Sequence, residues 1–356
     1  MGRDSDPAIG LLSAFMTSAR DDSGASTALA ERTAAAAPSR VTVTAPARLH
    51  LGFVDLNGGL GRRFGSLGIA LAAPTTRIVA RRHDGFAADG LEADRVLAHL
   101  RRLAGRFDLG GGVRITVEQA MPAHAGLGSG TQLALAVGAA LSRLCGLGLD
   151  AEAIARLLGR GGRSSIGIAG FATGGVILDG GRGSADRPPP VVSRLPFPTA
   201  WRILLIFDQR RSGLSGLAER EAFDRLPGIP PELAGRLCRL MLMTALPALA
   251  EADLHRFAAA VAELQRATGD HFAPLQGGRF ASPLVADVLA WLESQGLRGV
   301  GQSSWGPTGF AIVGSAAEAD ALATQATARW PAASGLAFMV TGGRNRGGEI
   351  DPPPAP

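Results

Sequence analysis

Between Ala125 and Gly138 the chain reads AGLGSGTQLALAVG, with Gly126, Gly128 and Gly130 at alternate positions and Ser129 and Thr131 among them. Glycines at a strand-to-helix turn permit positive φ and a close approach of backbone to ligand. Amides from Gly126 through Leu127 and Gly128 to Gly130 can then converge on phosphate oxygens at the positive end of a helix dipole. The hydroxyls of Ser129 and Thr131 add two polar contacts. The pattern is neither a Walker A loop, which needs Lys, nor the dinucleotide fingerprint, whose third glycine comes one residue later. The plainer alternative is a turn that only joins a strand to a helix.

Three further clusters carry chemistry. In VTVTAPARLHLGF (41–53), strand alternation sets Arg48, His50 and Gly52 on one face and Leu49, Leu51 and Phe53 on the other, with Asp55 just beyond. A cation and an imidazole projecting together suit an anion; the alternative is the polar face of an edge strand. In GVGQSSWGPTGF (299–310), Gln302, Ser303, Ser304, Trp305 and Thr308 offer an amide, small hydroxyls and an aromatic wall in an expected strand-linking loop. That set fits a flat ligand with polar edges, or else an ordinary hairpin. In GRGGRSSIGIAGFATGG (159–175), Arg160 and Arg163 stand near Ser164 and Ser165, as an anion site or a glycine-rich connection.

Composition narrows the classes. All 36 basic residues are Arg and Tyr is absent, which excludes a Schiff-base lysine, a lysine general base and a lysine P-loop, and leaves anion binding to the guanidinium fork. A net charge of +5, with acids scattered among the arginines, favours anionic small molecules over nucleic acid. No run of about 18 consecutive apolar residues is present, so no membrane span is expected. Cys145 and Cys238 lack C-x-x-C spacing, and the N-terminus lacks a basic segment leading into an apolar core. Two buried thiols in a reducing cytoplasm and no signal peptide are expected.

The elements that must position these clusters read as α+β in two lobes. An arm over 1–39 is expected to be disordered, a first lobe to span 40–190, a second 191–343, and a flexible tail 344–356. Strands are expected at 41–53, 66–82, 112–120, 174–181, 201–207, 308–313 and 335–341. Helices are expected at 91–103, 130–145, from Asp150 onward, and near 215–225, 231–249, 251–267, 283–295 and 316–329.

The order PARLHLGF, P-x-x-x-G-L-G-S-G-T and GVGQSSWGPT resembles the three motifs of the GHMP superfamily, over about residues 41–343. GLGSGTQ, RSSIGIAGFATGGVILDGG and GQSSWGPT resemble, more narrowly, its non-kinase branch, the β-ribofuranosylaminobenzene 5′-phosphate synthase family. The resemblance implies an N-terminal βαβ lobe like a ribosomal-protein domain and a C-terminal ferredoxin-like lobe. The implied reaction condenses phosphoribosyl pyrophosphate with 4-aminobenzoate, or a 4-hydroxybenzoate-type acid. Carbon dioxide and pyrophosphate leave, in tetrahydromethanopterin-type coenzyme synthesis, with Mg²⁺ accompanying the pyrophosphate and a homodimer as the assembly. Kinase members show G-L-G-S-S-A where this chain has Gly130-Thr131-Gln132 after Ser129, which weakens an ATP assignment.

On that resemblance, Gly126–Gly130, Ser129 and Thr131 grip pyrophosphate, and Arg48 and His50 face the same anions. Asp55 supports the sugar cation or a metal, while Ser129 and Asp179 are metal candidates. Arg163 pairs with a phosphate or carboxylate, and Gln302, Ser303, Ser304 and Trp305 frame the aromatic acid. An ATP-dependent small-molecule kinase and a non-catalytic anion-binding regulator are the alternatives.

Overall fold

The computed structural model describes residues 38–184, 187–213, 221–223 and 225–353. Residues 1–37 of the expected arm, and most of the helix expected near 215–225, lie outside the described residues.

The first sheet is built on a long antiparallel pair. Strand β1 (Arg40–Asp55) runs against β2 (Phe64–His83) from Arg40↔Arg81 to Asp55↔Phe64, with register shifts between Pro46/Arg48 and His50/Gly52. Strand β3 (Ala87–Gly90) lies parallel to β4 (Gly112–Gln119), and helix α1 (Ala93–Ala104) connects them as a βαβ unit. β4 in turn pairs with β2. Helices α2 (Ser129–Cys145), α3 (Ala151–Leu157) and α4 (Ile166–Ala172) follow. Gly146 ends α2 in the left-handed conformation, and the Asp150 carboxylate accepts from Ala153 N at 2.7 Å to start α3. Strand β5 (Val176–Asp179) pairs with β2.

Two segments depart from the lobe boundaries read in the sequence. Strand β6 (Val191–Leu195) pairs with β5, so the first sheet continues past residue 190. The segment expected as a flexible tail instead supplies β11 (Glu349–Asp351), paired with β1 through Thr42↔Asp351, Val43↔Ile350 and Thr44↔Glu349. Three residues on an edge carry too little hydrophobic pattern to register as a strand. Backbone pairing supplies what side chains do not, and Arg344 adds a hydrogen bond from its backbone N–H to Ala70 O at 2.7 Å.

The second sheet has the order β10-β7-β9-β8, antiparallel throughout, with the last strand of the lobe beside the first. Its strands are β7 (Arg202–Asp208), β8 (Val300–Gln302), β9 (Thr308–Val313) and β10 (Leu336–Thr341). This is the ferredoxin-like pattern. Its helices are α5 (Pro231–Ala250), α6 (Leu254–Gln276), α7 (Pro283–Ser294) and α8 (Ala316–Arg329). Helix α5 is long and apolar enough to cross a membrane by length and composition alone. One face of it, Ala234, Leu237, Met241, Ala245, Ala248 and Leu249, is buried in the central core, while Leu242 and Met243 are exposed.

Three apolar layers result. One packs α1–α4 on a face of the first sheet through Leu133, Val137 and Leu141. The central layer joins Leu49, Leu51 and Leu67 of the first sheet to Ile203, Leu205 and Phe310 of the second, with α5 and α6 between. A third packs α7 and α8 on the outer face of the second sheet. The central layer holds the ends of β1 and β8 in register, and the site forms at their edge.

Candidate functional site

The glycine loop opens α2 as expected. Gly128 is its N-cap at φ 79, with no side-chain cap, and the Thr131 and Gln132 amides close back on Gly128 O at 3.0 Å. The amides of Ser129 and Gly130 begin the helix and have no intrahelical acceptor, so they are left as donors at its positive end. Leu127 is buried, and its carbonyl accepts from Arg48 N at 3.0 Å. The Arg48 guanidinium donates through Nη1 to Gly126 O. A Cβ on Gly128 would lie 3.0 Å from Arg48 Cγ, so this glycine lets the arginine lie flat across the loop.

Ser303 ties the third motif to this loop. Its Oγ accepts from His50 N at 3.1 Å and donates to Gly126 O at 2.7 Å, and Ser304 N donates to His50 O at 3.2 Å. With no solvent exposure and both functions occupied, Ser303 positions the loop and does not face a substrate ring. Gln302 is held in place too, while it lines the cavity that His50 and Trp305 share. Its Oε1 accepts from Ala281 N at 2.6 Å, and its Nε2 donates to Ser304 O at 2.9 Å and Gln276 Oε1 at 3.3 Å. The segment expected as a loop begins as strand β8, where Gln302 N donates to Gln265 Oε1. Ser304, at φ 54, turns the chain back.

His50 does not stand on the opposite face from Phe53. The register shift between His50 and Gly52 breaks the alternation and brings the two rings to 4.6 Å. Phe53 belongs to an aromatic cluster in which Trp305 stacks on Phe223 at 4.8 Å and meets Phe272 edge-on at 4.7 Å. Trp305 is thus a buried wall of the cluster. The Arg163 guanidinium lies 4.4 Å above the Phe223 ring. Burial first, then the positive charges of Arg48 and Arg163, push the His50 imidazole well below its ordinary pKa, which holds it neutral. Among the described residues His50 Nε2 and Trp305 Nε1 are buried without a hydrogen-bond partner, and both line one cavity of about 20 Å³, room for a single small polar group.

Of the two carboxylates singled out as metal or cation supports, Asp55 has one oxygen engaged and Asp179 both. Asp55 Oδ1 accepts from Asn57 N at 2.8 Å and Gly58 N at 3.0 Å, closing its own turn. Asp179 is buried, with Oδ1 accepting from Ser66 N and Gly181 N and Oδ2 from Ser164 Oγ and Ser165 N, all at 2.8–3.0 Å. These four donors use its lone pairs, so Asp179 organises the Ser164–Ser165 turn and is unsuited to metal. Among the described residues no group of three His, Cys, Asp or Glu could hold a metal ion. Asp179→Asn is expected to cost about 2–4 kcal/mol in urea unfolding, because an amide nitrogen then faces donors in a buried site. Its dependence on added magnesium should stay that of the unsubstituted protein.

Residues less visible in the sequence crowd the start of α2. A Cβ on Gly130 would lie 2.7 Å from Arg95 Nη2 and 3.7 Å from Arg160 Nη1. Arg160 Nη2 is 3.5 Å from His99 Nε2. Burial, with Arg160, Arg95 and Arg102 around it, lowers the His99 pKa to about 4. Between pH 6.5 and 4 the unfolded chain therefore binds a proton that the folded chain does not, and stability falls as pH falls through that window. The urea midpoint should decline over that range, and His99→Gln should flatten the decline.

Loop, strand and aromatic cluster meet where the two lobes of a GHMP-type fold join. The GHMP kinases N terminal domain model matches residues 93–175 and the GHMP kinases C terminal model residues 245–332. Two solved kinase structures superpose on most of the chain. Lactococcus lactis galactokinase complexed with galactose does so with a TM-score of 0.63 at 16% identity, over 91% of this chain and 99% of the other. Homoserine kinase from Cytophaga hutchinsonii does so with a TM-score of 0.61 at 18% identity, over 88% and 98%. The β-ribofuranosylphenol 5′-phosphate synthase of Archaeoglobus fulgidus is 34% identical over 86% of this chain and 98% of its own length. That of Methanothermobacter thermautotrophicus is 32% identical over 86% and 97%. The chain belongs to the β-ribofuranosylphenol 5′-phosphate synthase family, the non-kinase branch to which its motifs point.

Proposed function

We propose that the protein joins phosphoribosyl pyrophosphate to 4-hydroxybenzoate, carbon to carbon, with loss of carbon dioxide and pyrophosphate. The observation that carries this reading is the meeting of Arg48, Arg163 and a neutral His50 beside the open Ser129 and Gly130 amides. The relatives are named for a ribosylated phenol, which favours the hydroxy acid over 4-aminobenzoate.

In this reading the pyrophosphate lies on the Ser129 and Gly130 amides and the Ser129 and Thr131 hydroxyls, with Arg48 over it. The bond from C1′ to the pyrophosphate oxygen breaks and its electron pair leaves with the diphosphate. Fixed positive groups stabilise that departing charge without reorganising. Any magnesium arrives on the pyrophosphate as part of the substrate. The ring carbon bearing the carboxylate bonds to C1′ as the para hydroxyl releases electron density, and His50 Nε2, neutral and buried, accepts the hydrogen bond of that hydroxyl. The carboxylate, oriented by Arg163, leaves as carbon dioxide, and its bonding pair restores the aromatic ring. No ring proton has to be removed, which suits a chain without lysine. Holding both reactants in line supplies much of the rate.

The test is mass analysis of products after mixing purified protein with phosphoribosyl pyrophosphate, magnesium and either aromatic acid. A ribosylated phenol phosphate lacking the carboxylate supports the reading. Phosphate transfer from ATP without the sugar diphosphate would replace it with a kinase, and binding without any product would make the protein a regulator. Gel filtration with light scattering tests the homodimer.

A further inference from the structure

Beyond the cradle, a second basic cavity of about 610 Å³ is lined by Arg102, Arg106, Arg156, Arg160, Arg182 and Arg187, with Gly159, Gly161 and Gly162 between them. Its size is that of a small-molecule site. Among the described residues, no Asp or Glu lines it and none of the six arginines forms an ion pair. Arg160 Nε is buried without a hydrogen-bond partner among the described residues. Burial, Arg95 and Arg102 hold the Arg160 pKa below the usual guanidinium value. Six guanidinium groups around one space repel one another until an anion enters. Arg160 also links the cavity to the cradle, because its Nη1 reaches the start of α2 beside Gly130.

We propose that this cavity is a second anion site, built for a phosphate monoester dianion. Its planar donors can fork onto phosphate oxygens, and the small glycines let the ligand approach the backbone. The phosphate has two possible sources: the 5′-phosphate of the sugar whose pyrophosphate occupies the cradle, which rests on the function proposed above, or a free phosphate bound independently.

The experiment is calorimetric titration of the full chain with inorganic phosphate and with ribose 5-phosphate, without and with saturating pyrophosphate. It compares the unsubstituted protein, R102Q/R156Q and R48A. The site predicts phosphate binding that survives pyrophosphate, weakens at least about 10-fold in R102Q/R156Q, and is unchanged in R48A. Equal binding by R102Q/R156Q and the unsubstituted protein overturns it. Both substituted arginines are exposed and their removal relieves repulsion, so the thermal midpoint should hold or rise, separating lost binding from lost folding. A KM for phosphoribosyl pyrophosphate raised about 10-fold in R102Q/R156Q, with kcat kept, assigns the site to the substrate's 5′-phosphate. An unchanged KM with phosphate binding still lost assigns it to free phosphate. Pyrophosphate binding indifferent to R48A overturns the cradle reading alone and leaves the phosphate result standing.

Discussion

Arg48→Ala is expected to lower kcat/KM for phosphoribosyl pyrophosphate by about 10²–10³-fold, the usual effect of removing one fixed donor from a developing anion. The loss should fall mainly on kcat, since the guanidinium meets more charge in the leaving diphosphate than in the bound substrate. Arg48 also donates to Gly126 O, so the variant should lose about 1 kcal/mol of stability as that hydrogen bond disappears. Arg48→Lys separates the two effects. It keeps the charge while losing the planar fork, and should recover only part of the rate. Steady-state kinetics with a pyrophosphate-release assay, run beside urea unfolding, read both. Wild-type turnover in folded Arg48→Ala would remove this residue from the reaction.

Gly126→Ala should be the more damaging structural change. The residue sits at φ 82, where a Cβ is strained, and that atom would lie 2.8 Å from Gly306 Cα and against the Ser303 carbonyl. Both obstacles are backbone and cannot rotate away. Left-handed strain and forced displacement together suggest a loss of about 2–5 kcal/mol, seen as a thermal midpoint lower by roughly 5–15 °C. Activity should fall further than stability, because the contact with Gly306 sets the distance between the loop and the third motif. Gly146→Ala is the control. Gly146 also has positive φ, at 68, but a Cβ added there would meet nothing within 4 Å, so it should show strain alone.

Much of the positioning framework was legible because it rests on local chemistry. Glycines before an Ala/Leu run announced α2, Asp150 announced the cap of α3, and Pro231 and Pro283 marked the first turns of α5 and α7. Arg48, His50 and the glycine loop were recognisable for the same reason. What eluded the sequence is decided by distant partners. The bulge after His50 depends on pairing with β2, and it moved the imidazole into the aromatic cluster. Gln302 looked available until β8 formed and Gln276 and Ala281 took its amide. Asp179 read as a free carboxylate because its four donors come from three separated segments. Arg95 lies on a helix face whose neighbour, Gly130, only folding supplies.

The pairing of β1 with β11 has a consequence for how the chain is made. β1 carries Arg48 and His50, yet its outer edge is closed by Glu349–Asp351, a segment made long after it. Until that segment emerges the edge stays open, with unpaired amides and carbonyls beside buried Val41 and Val43. The nascent chain therefore carries a strand ready to accept a stranger until its native partner is made. Deleting residues 349–353 should raise aggregation during expression more than it lowers the activity of whatever folds.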